Sequence, residues 1–287
     1  MHALAFLFAL IAAAILAPAL LRALGDGGHT RANFRGRALP FPFGVLTLAA
    51  APIALIGLLA LQRFASTRVL PAQLLPIAVY ALGVLALGLL DDTLAPDGEG
   101  RGAGAGAQAS PRGWRGHGAA TLRGELSTGA LKAAGSLGLA LLAMSYLGLS
   151  NGRWLLAAAV LVLATNAFNL LDLRPGRATK AFVLLGAGLA IGSADVHTLW
   201  ALGLFAAPAL VAGVYDLRER AMLGDTGANL LGALAGLWLV LTLSGTGQLV
   251  ALALLLVITL YGEMRSISAL IERTPGLRQL DCWGRPT

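Results

Sequence analysis

Two adjacent carboxylates, Asp91 and Asp92, end the apolar run Leu82–Leu90. Like charges side by side at the mouth of an apolar segment repel, and a low dielectric strengthens the repulsion. A divalent cation offsets that cost. Mg²⁺ favours one or two carboxylates, keeps some water and shares substrate phosphates. Three further stretches put comparable groups beside apolar runs. Asn33-Phe34-Arg35-Gly36-Arg37 offers guanidinium groups suited to phosphate. Asn166, Asn169 and Asp172 recur at i, i+3 and i+6, which puts them on or near one helical face. Gly224-Asp225-Thr226-Gly227 sets an aspartate between glycines at an expected helix start, where backbone can approach an anionic ligand. Lys132 opens the apolar run that follows the aspartate pair and could meet a phosphate as a point charge. Each stretch also has an ordinary structural reading: a solvated helix end, a topological anchor, an interhelical hydrogen-bond cluster, a snorkelling lysine or a helix cap. Taken together, three carboxylate stations, amides and cations make up equipment for Mg²⁺-dependent phosphoryl transfer, with Mn²⁺ as a substitute. In that chemistry, positioning and charge neutralisation dominate.

The elements that must position these groups are membrane spans. Only 12% of the 287 residues are charged and the mean hydropathy is +0.77, far from the roughly 25% charge of a soluble domain. Apolar runs near the ~20 residues needed to cross a bilayer fall at 3–24, 42–61, 72–90, 131–149, 154–171, 181–194, 198–215, 227–243 and 248–265. The expectation is an all-α polytopic membrane protein with about nine transmembrane helices, the sixth being short. The first run has no basic segment before it and reads as a retained span. With the N-terminus outside, all 21 lysines and arginines except Arg63, Arg68 and Arg153 fall on the cytoplasmic side. The positive-inside rule supports that orientation. Every acidic residue but Asp195 falls there too. A reaction at the cytoplasmic face follows more naturally than a through-channel.

The chain reads as one transmembrane domain, 1–287, with a long cytoplasmic loop at 91–130 and a cytoplasmic tail at 266–287. The middle of that loop, including Gly102-Ala103-Gly104-Ala105-Gly106-Ala107, reads as flexible. It lacks the Gly-Lys-Ser/Thr ending of a phosphate loop. The net charge of +7 suits topology and anionic lipid better than nucleic acid. The lone cysteine, Cys282, excludes an intrachain disulfide and a cysteine-cluster metal site.

Gly88-Leu89-Leu90-Asp91-Asp92, Asn166-Ala167-Phe168-Asn169-Leu170-Leu171-Asp172 and Gly224-Asp225-Thr226-Gly227 resemble, in order and spacing, the signatures of the polyprenyl-phosphate N-acetylhexosaminyl-1-phosphate transferases. The resemblance covers roughly Asn33 to Gly232. It implies an all-α membrane fold with a cytoplasmic active site in the bacterial plasma membrane. It also implies transfer of a sugar-1-phosphate from a UDP-sugar to undecaprenyl phosphate, with release of UMP, for cell-envelope glycan synthesis. By the same resemblance, Asp225 matches a Mg²⁺ ligand. Asp91 and Asp92 match the pair assigned either to activating the lipid phosphate or to the metal and diphosphate, Asp92 being the second expected metal contact. Asn169 and Asp172 match polar residues on the nucleotide side. Lys132 matches the lysine that opens the next span. Asn33, Arg35, Asn166, Arg174 and Arg177 complete the expected substrate-binding set, and a homodimer is a further expectation.

The sequence also departs from that family. The third motif usually continues Asp-Gly-x-Asp-Gly-Leu, whereas here it reads Asp172-Leu173-Arg174-Pro175-Gly176-Arg177. Met222 stands where many members place an aromatic residue. A histidine motif in the last cytoplasmic loop and a tenth span have no counterpart after Met264. The four histidines, His2, His29, His117 and His197, lie elsewhere. The metal and phosphate end is kept and the nucleotide end is altered. The competing expectations are a member that has lost catalysis and binds lipid carriers or membrane partners, and a transporter.

Overall fold

The computed structural model describes residues 3–66, 68–94 and 128–286. The central part of the expected 91–130 loop, including its glycine-rich stretch, lies outside the described residues. In order, the elements are α1 (Leu4–Asp26), β1 (Thr30–Ala32), β2 (Ala38–Pro40), a 3₁₀ turn (Phe43–Val45), α2 (Leu46–Ala65) and α3 (Leu74–Leu94). There follow α4 (Thr128–Ser145), α5 (Asn151–Leu171), α6 (Arg177–Ser193), α7 (His197–Leu217), α8 (Gly224–Thr242), α9 (Gly245–Met264), α10 (Ile267–Arg273) and α11 (Pro275–Cys282).

Among the described residues, the helices α1 to α9 fall at the nine apolar runs of the sequence. Seven are long and apolar enough to cross a membrane, and α4 contributes a shorter apolar helix. At 17 residues α6 rises only ~25 Å, as its short apolar run predicts. The fold is an all-α polytopic membrane protein.

α8 is the axis of the bundle. Beyond its polar first turns, from Leu230 on, its Gly-Ala-Leu sequence is apolar all round, and Leu230, Leu231, Ala233, Leu234 and Ala235 are all fully buried. A helix without a polar face belongs inside. α3, α5, α6 and α7 surround it. Outer helices show the complementary pattern. In α1, Ala5, Ala9, Ala13 and Ala17 recur every fourth residue and are buried against α2 and α7. Ile11 and Ile15 point outward, where lipid would cover them.

Two features near the charged end were not expected from the sequence. Thr30–Ala32 and Ala38–Pro40 form a small antiparallel hairpin, with Arg31 paired to Leu39. Its turn is tied by Asn33, whose Oδ1 accepts from the backbone N–H groups of Arg35 (2.9 Å) and Arg37 (3.0 Å). The 266–286 tail is also ordered into α10 and α11.

Candidate active site

Four helix ends converge at the charged end: the C-termini of α3 and α5 and the N-termini of α4 and α8. They bring Asp91 and Asp92, Asn169, Lys132 and Asp225 together across wide sequence separations. Both amides on this face of α5 were expected in the site. Asn169 reaches it, while Asn166 lies one turn deeper with its amide nitrogen buried and unpaired among the described residues.

The two neighbouring aspartates meet different partners. Asp92 is buried and caps the start of α8. Its Oδ1 accepts from the Asp225 N–H (3.0 Å). Its Oδ2 accepts from the Thr226 N–H (2.8 Å) and from Thr226 Oγ1 (2.6 Å). The first N–H groups of a helix have no partner within the helix, and the positive end of its dipole favours a carboxylate. α8 carries no side-chain cap of its own, so α3 supplies one in trans. This needs very close approach. A Cβ on Gly88 would sit 2.6 Å from the Asp225 carbonyl oxygen, and Gly224, with φ of +71°, packs against Asp92 and Pro42.

Asp91 points instead to Lys132, whose Nζ donates to Asp91 Oδ2 (3.2 Å) and to Asp225 Oδ2. Asn169 completes this group. With its amide oriented to satisfy both neighbours, its oxygen accepts from Lys132 Nζ (2.9 Å) and its nitrogen donates to Asp225 Oδ1 (3.1 Å). Two carboxylates and an amide oxygen thus converge on one ammonium. The Asp225 side chain keeps 31% exposure, so the group opens outward. Beside it, a shallow crevice between α3 and α4 is walled by Leu87, Leu90, Leu94 and Leu131 and ends at Asp91 and Lys132.

The residues fit a divalent cation bound largely by phosphate. Among the described residues, no group of three or more His, Cys, Asp or Glu side chains is arranged as a metal cage. Asp92, the second expected metal contact, has both carboxylate oxygens held by the first turn of α8, so Asp91 and Asp225 are the pair that would supply two carboxylates, the number Mg²⁺ takes when substrate phosphates and water fill its other positions. Three clustered aspartates against one lysine leave a negative excess for such an ion to neutralise.

The hairpin and the loop before α8 hold this group in place. Phe43 and Gly44 N–H groups donate to the carbonyls of Met222 (2.7 Å) and Leu223 (3.0 Å), and Met222 N–H donates to Pro40 (2.9 Å). Arg31, on β1, lies over the Phe41 ring (4.0 Å) and reaches the Asp92 carbonyl (3.5 Å). Neither Arg31 nor Thr226 is among the site residues expected from the sequence.

The remaining expected substrate residues form a second, separate group that is already engaged within the chain. Asn33 Nδ2 donates to Glu219 (3.2 Å), and Arg35 pairs with the other Glu219 oxygen (3.3 Å) and reaches the Pro286 carbonyl (3.1 Å). Arg174 stacks on Phe34 (4.5 Å) and pairs with Glu272 (3.2 Å). Arg177 is buried and grips Asp281 with a two-pronged contact (2.9 and 3.0 Å). Asp172 is the half-buried residue closing α5, at the entry to this loop. Asp216, also unanticipated, ties the two groups: its carboxylate accepts from the N–H of Gly176 (2.6 Å) and of Leu223 (3.4 Å).

No protein-family model matches the chain, and no curated protein matches it.

Proposed function

We propose that the chain is a Mg²⁺-dependent transferase that moves a sugar-1-phosphate from a nucleotide-sugar, with a UDP-N-acetylhexosamine first, to a polyprenyl phosphate. The reaction takes place at the cytoplasmic face of a bacterial plasma membrane and serves cell-envelope glycan synthesis. The observation that carries this reading is the group Asp91–Lys132–Asp225–Asn169 at the meeting of four helix ends. It pairs two carboxylates with a cation that suits phosphate, and it lies beside the apolar side chains of Leu87, Leu90, Leu94 and Leu131.

In this reading a lipid-phosphate oxygen attacks the sugar-bearing β-phosphorus of the donor. A new P–O bond forms, the bond from that phosphorus to the bridging oxygen breaks, and nucleoside monophosphate leaves with that oxygen. A bound Mg²⁺ would neutralise charge on the diphosphate. Asp225 and Asp91 would hold it. Lys132 orients a phosphate oxygen once its carboxylate partners turn to the metal, and Asn169 fixes the rotamers of both Lys132 and Asp225. Asp92 acts as a positioning residue, because its two oxygens are committed to the first turn of α8.

A second reading, a member that binds lipid carrier without catalysis, is favoured by one observation. Arg35, Arg174 and Arg177, the cations expected to meet the donor, are bound by the chain's own Glu219, Glu272 and Asp281. The test is a panel of nucleotide-sugars offered to the detergent-purified protein with undecaprenyl phosphate and Mg²⁺. Monophosphate release from one donor, abolished by EDTA, is the outcome of the transferase reading. Lipid binding without release from any donor is the outcome of the other.

A further inference from the structure

The tail after α9 is tied to the bundle through Asp281 and the end of α11. Asp281, midway between its flanks, is gripped by Arg177 and by Arg285 (2.7 and 3.2 Å), and Arg285 Nε also donates to the Pro175 carbonyl (2.7 Å). Lys180 Nζ donates to the carbonyls of Leu280 (3.0 Å), Asp281 (2.6 Å) and Trp283 (3.0 Å), closing the end of α11 as a C-terminal cation does. These contacts fix the rotation of α11. Leu277 and Leu280, at i and i+3, then lie to one side of α11 with Trp283 just past its end, and Arg278 and Cys282 lie to the other. Trp283 is 74% exposed, and Leu277 and Leu280 are also open. Together they leave an apolar flank on α11 that the chain itself does not cover.

The position of this stripe indicates what covers it. Lys180, which holds Trp283, sits one turn from Val183 and Leu184, outward-facing residues on the lipid side of α6. The apolar flank of α11 therefore continues the lipid-facing surface of the bundle at the level where a span leaves the bilayer. Tryptophan concentrates at that level. Arg265 and Arg273 precede α11 on the same end of the chain, a charge that suits anionic headgroups.

We propose that α10–α11 and Trp283 form an interfacial foot. It lies in the headgroup layer of an anionic leaflet, with Leu277, Leu280 and Trp283 inserted and Arg278 and Cys282 facing water. Through Asp281 the foot ties the Arg174–Arg177 loop to the membrane surface. This inference does not depend on the transferase reading.

The native Cys282 makes a direct test available. Nitroxide labels are placed at Cys282 itself and, in a Cys282→Ser background, one at a time at Leu277→Cys, Arg278→Cys, Leu280→Cys and Trp283→Cys. Each labelled full-length protein is reconstituted in phosphatidylcholine–phosphatidylglycerol vesicles. Accessibility to oxygen is compared with accessibility to a water-soluble nickel chelate. The expected result is oxygen-dominated accessibility at 277, 280 and 283 and chelate-dominated accessibility at 278 and 282. All five positions sit on the exposed surface, and Cys282 needs no substitution. Chelate-dominated accessibility at all five positions overturns the proposal. So does spin–spin broadening at 280 and 283 that vanishes on dilution with unlabelled protein, because a second copy would then cover the stripe.

Discussion

Asp91 and Asp92 are neighbours in sequence but meet different partners. Asp91 faces Lys132 and Asp92 caps α8. Thr226 makes that cap strong, since its hydroxyl and N–H both donate to one Asp92 oxygen. A hydrogen bond to a charged group contributes about 1.5–3 kcal/mol. Thr226→Val is expected to lower stability by about that amount, read as a fall in thermal midpoint in detergent. Thr226→Ser should restore most of it; equal midpoints for Thr226→Val and the unaltered protein would contradict the role. Asp225→Ala should reduce turnover roughly a hundredfold or more, because charge stabilisation through a metal contributes several kcal/mol and each 1.36 kcal/mol is tenfold. At this scale the sequence was legible where chemistry is carried by local motifs: Asp91, Asp225, Asn169 and Lys132 all reach one place. It was not legible where a partner is far along the chain. Nothing near Glu219 announces Asn33 and Arg35, and nothing near Asp281 announces Arg177, 104 residues away.

At the scale of elements, the approach of α3 to α8 decides the geometry. Gly88→Ala puts a methyl group into the Asp225 and Thr226 backbone, so the two helices must separate. Overpacking of this kind costs about 1–3 kcal/mol, and here it also pulls the Asp92 cap off α8. The matched control is Gly138→Ala on α4, where an added Cβ meets nothing within 4 Å. Loss of stability and turnover in the first variant and neither in the second is the expected pattern; equal behaviour would show that the close approach is dispensable. The tail makes a separate prediction from Asp281. Burial raises the pKa of this carboxyl, but hydrogen bonds from Arg177 and then Arg285 outweigh it and leave the net value below the usual carboxylate range. A depressed folded-state value means that the stabilising contribution is present above the unfolded value of about 3.9 and is lost as pH falls through the folded one. Tail docking, read from the mobility of a nitroxide on Cys282, should be steady from pH 7 to 5 and loosen below about pH 4. Asp281→Asn should already be loose at pH 7. The hairpin and the tail helices escaped the sequence reading for a physical reason. Three-residue strands carry too little alternation to register, and α10 and α11 are shorter than the window over which helical periodicity accumulates.

For the whole molecule, span count and topology are linked. Asn169 ends α5 and Asp225 begins α8, and they can meet only because two further helices, α6 and α7, return the chain to the same end. The short α6 is therefore necessary despite its weak apolar signal. With basic residues gathered at that end, the positive-inside rule predicts that it faces the cytoplasm. In intact cells a membrane-impermeant maleimide should leave Cys282 unlabelled and should label Ser150→Cys in a Cys282→Ser background, at the opposite end of the bundle. The reverse labelling would invert the orientation.

The central claim is group transfer to a lipid at the Asp91–Lys132–Asp225 group. Its most direct measurement uses a nucleotide-sugar labelled with ³²P at the β-phosphate, incubated with the reconstituted protein, undecaprenyl phosphate and Mg²⁺ and then extracted into organic solvent. The account predicts label in the organic phase, matched by monophosphate in water and lost in Asp225→Ala. Label that stays in water with every donor, or transfer that persists at full rate in Asp225→Ala, would contradict it.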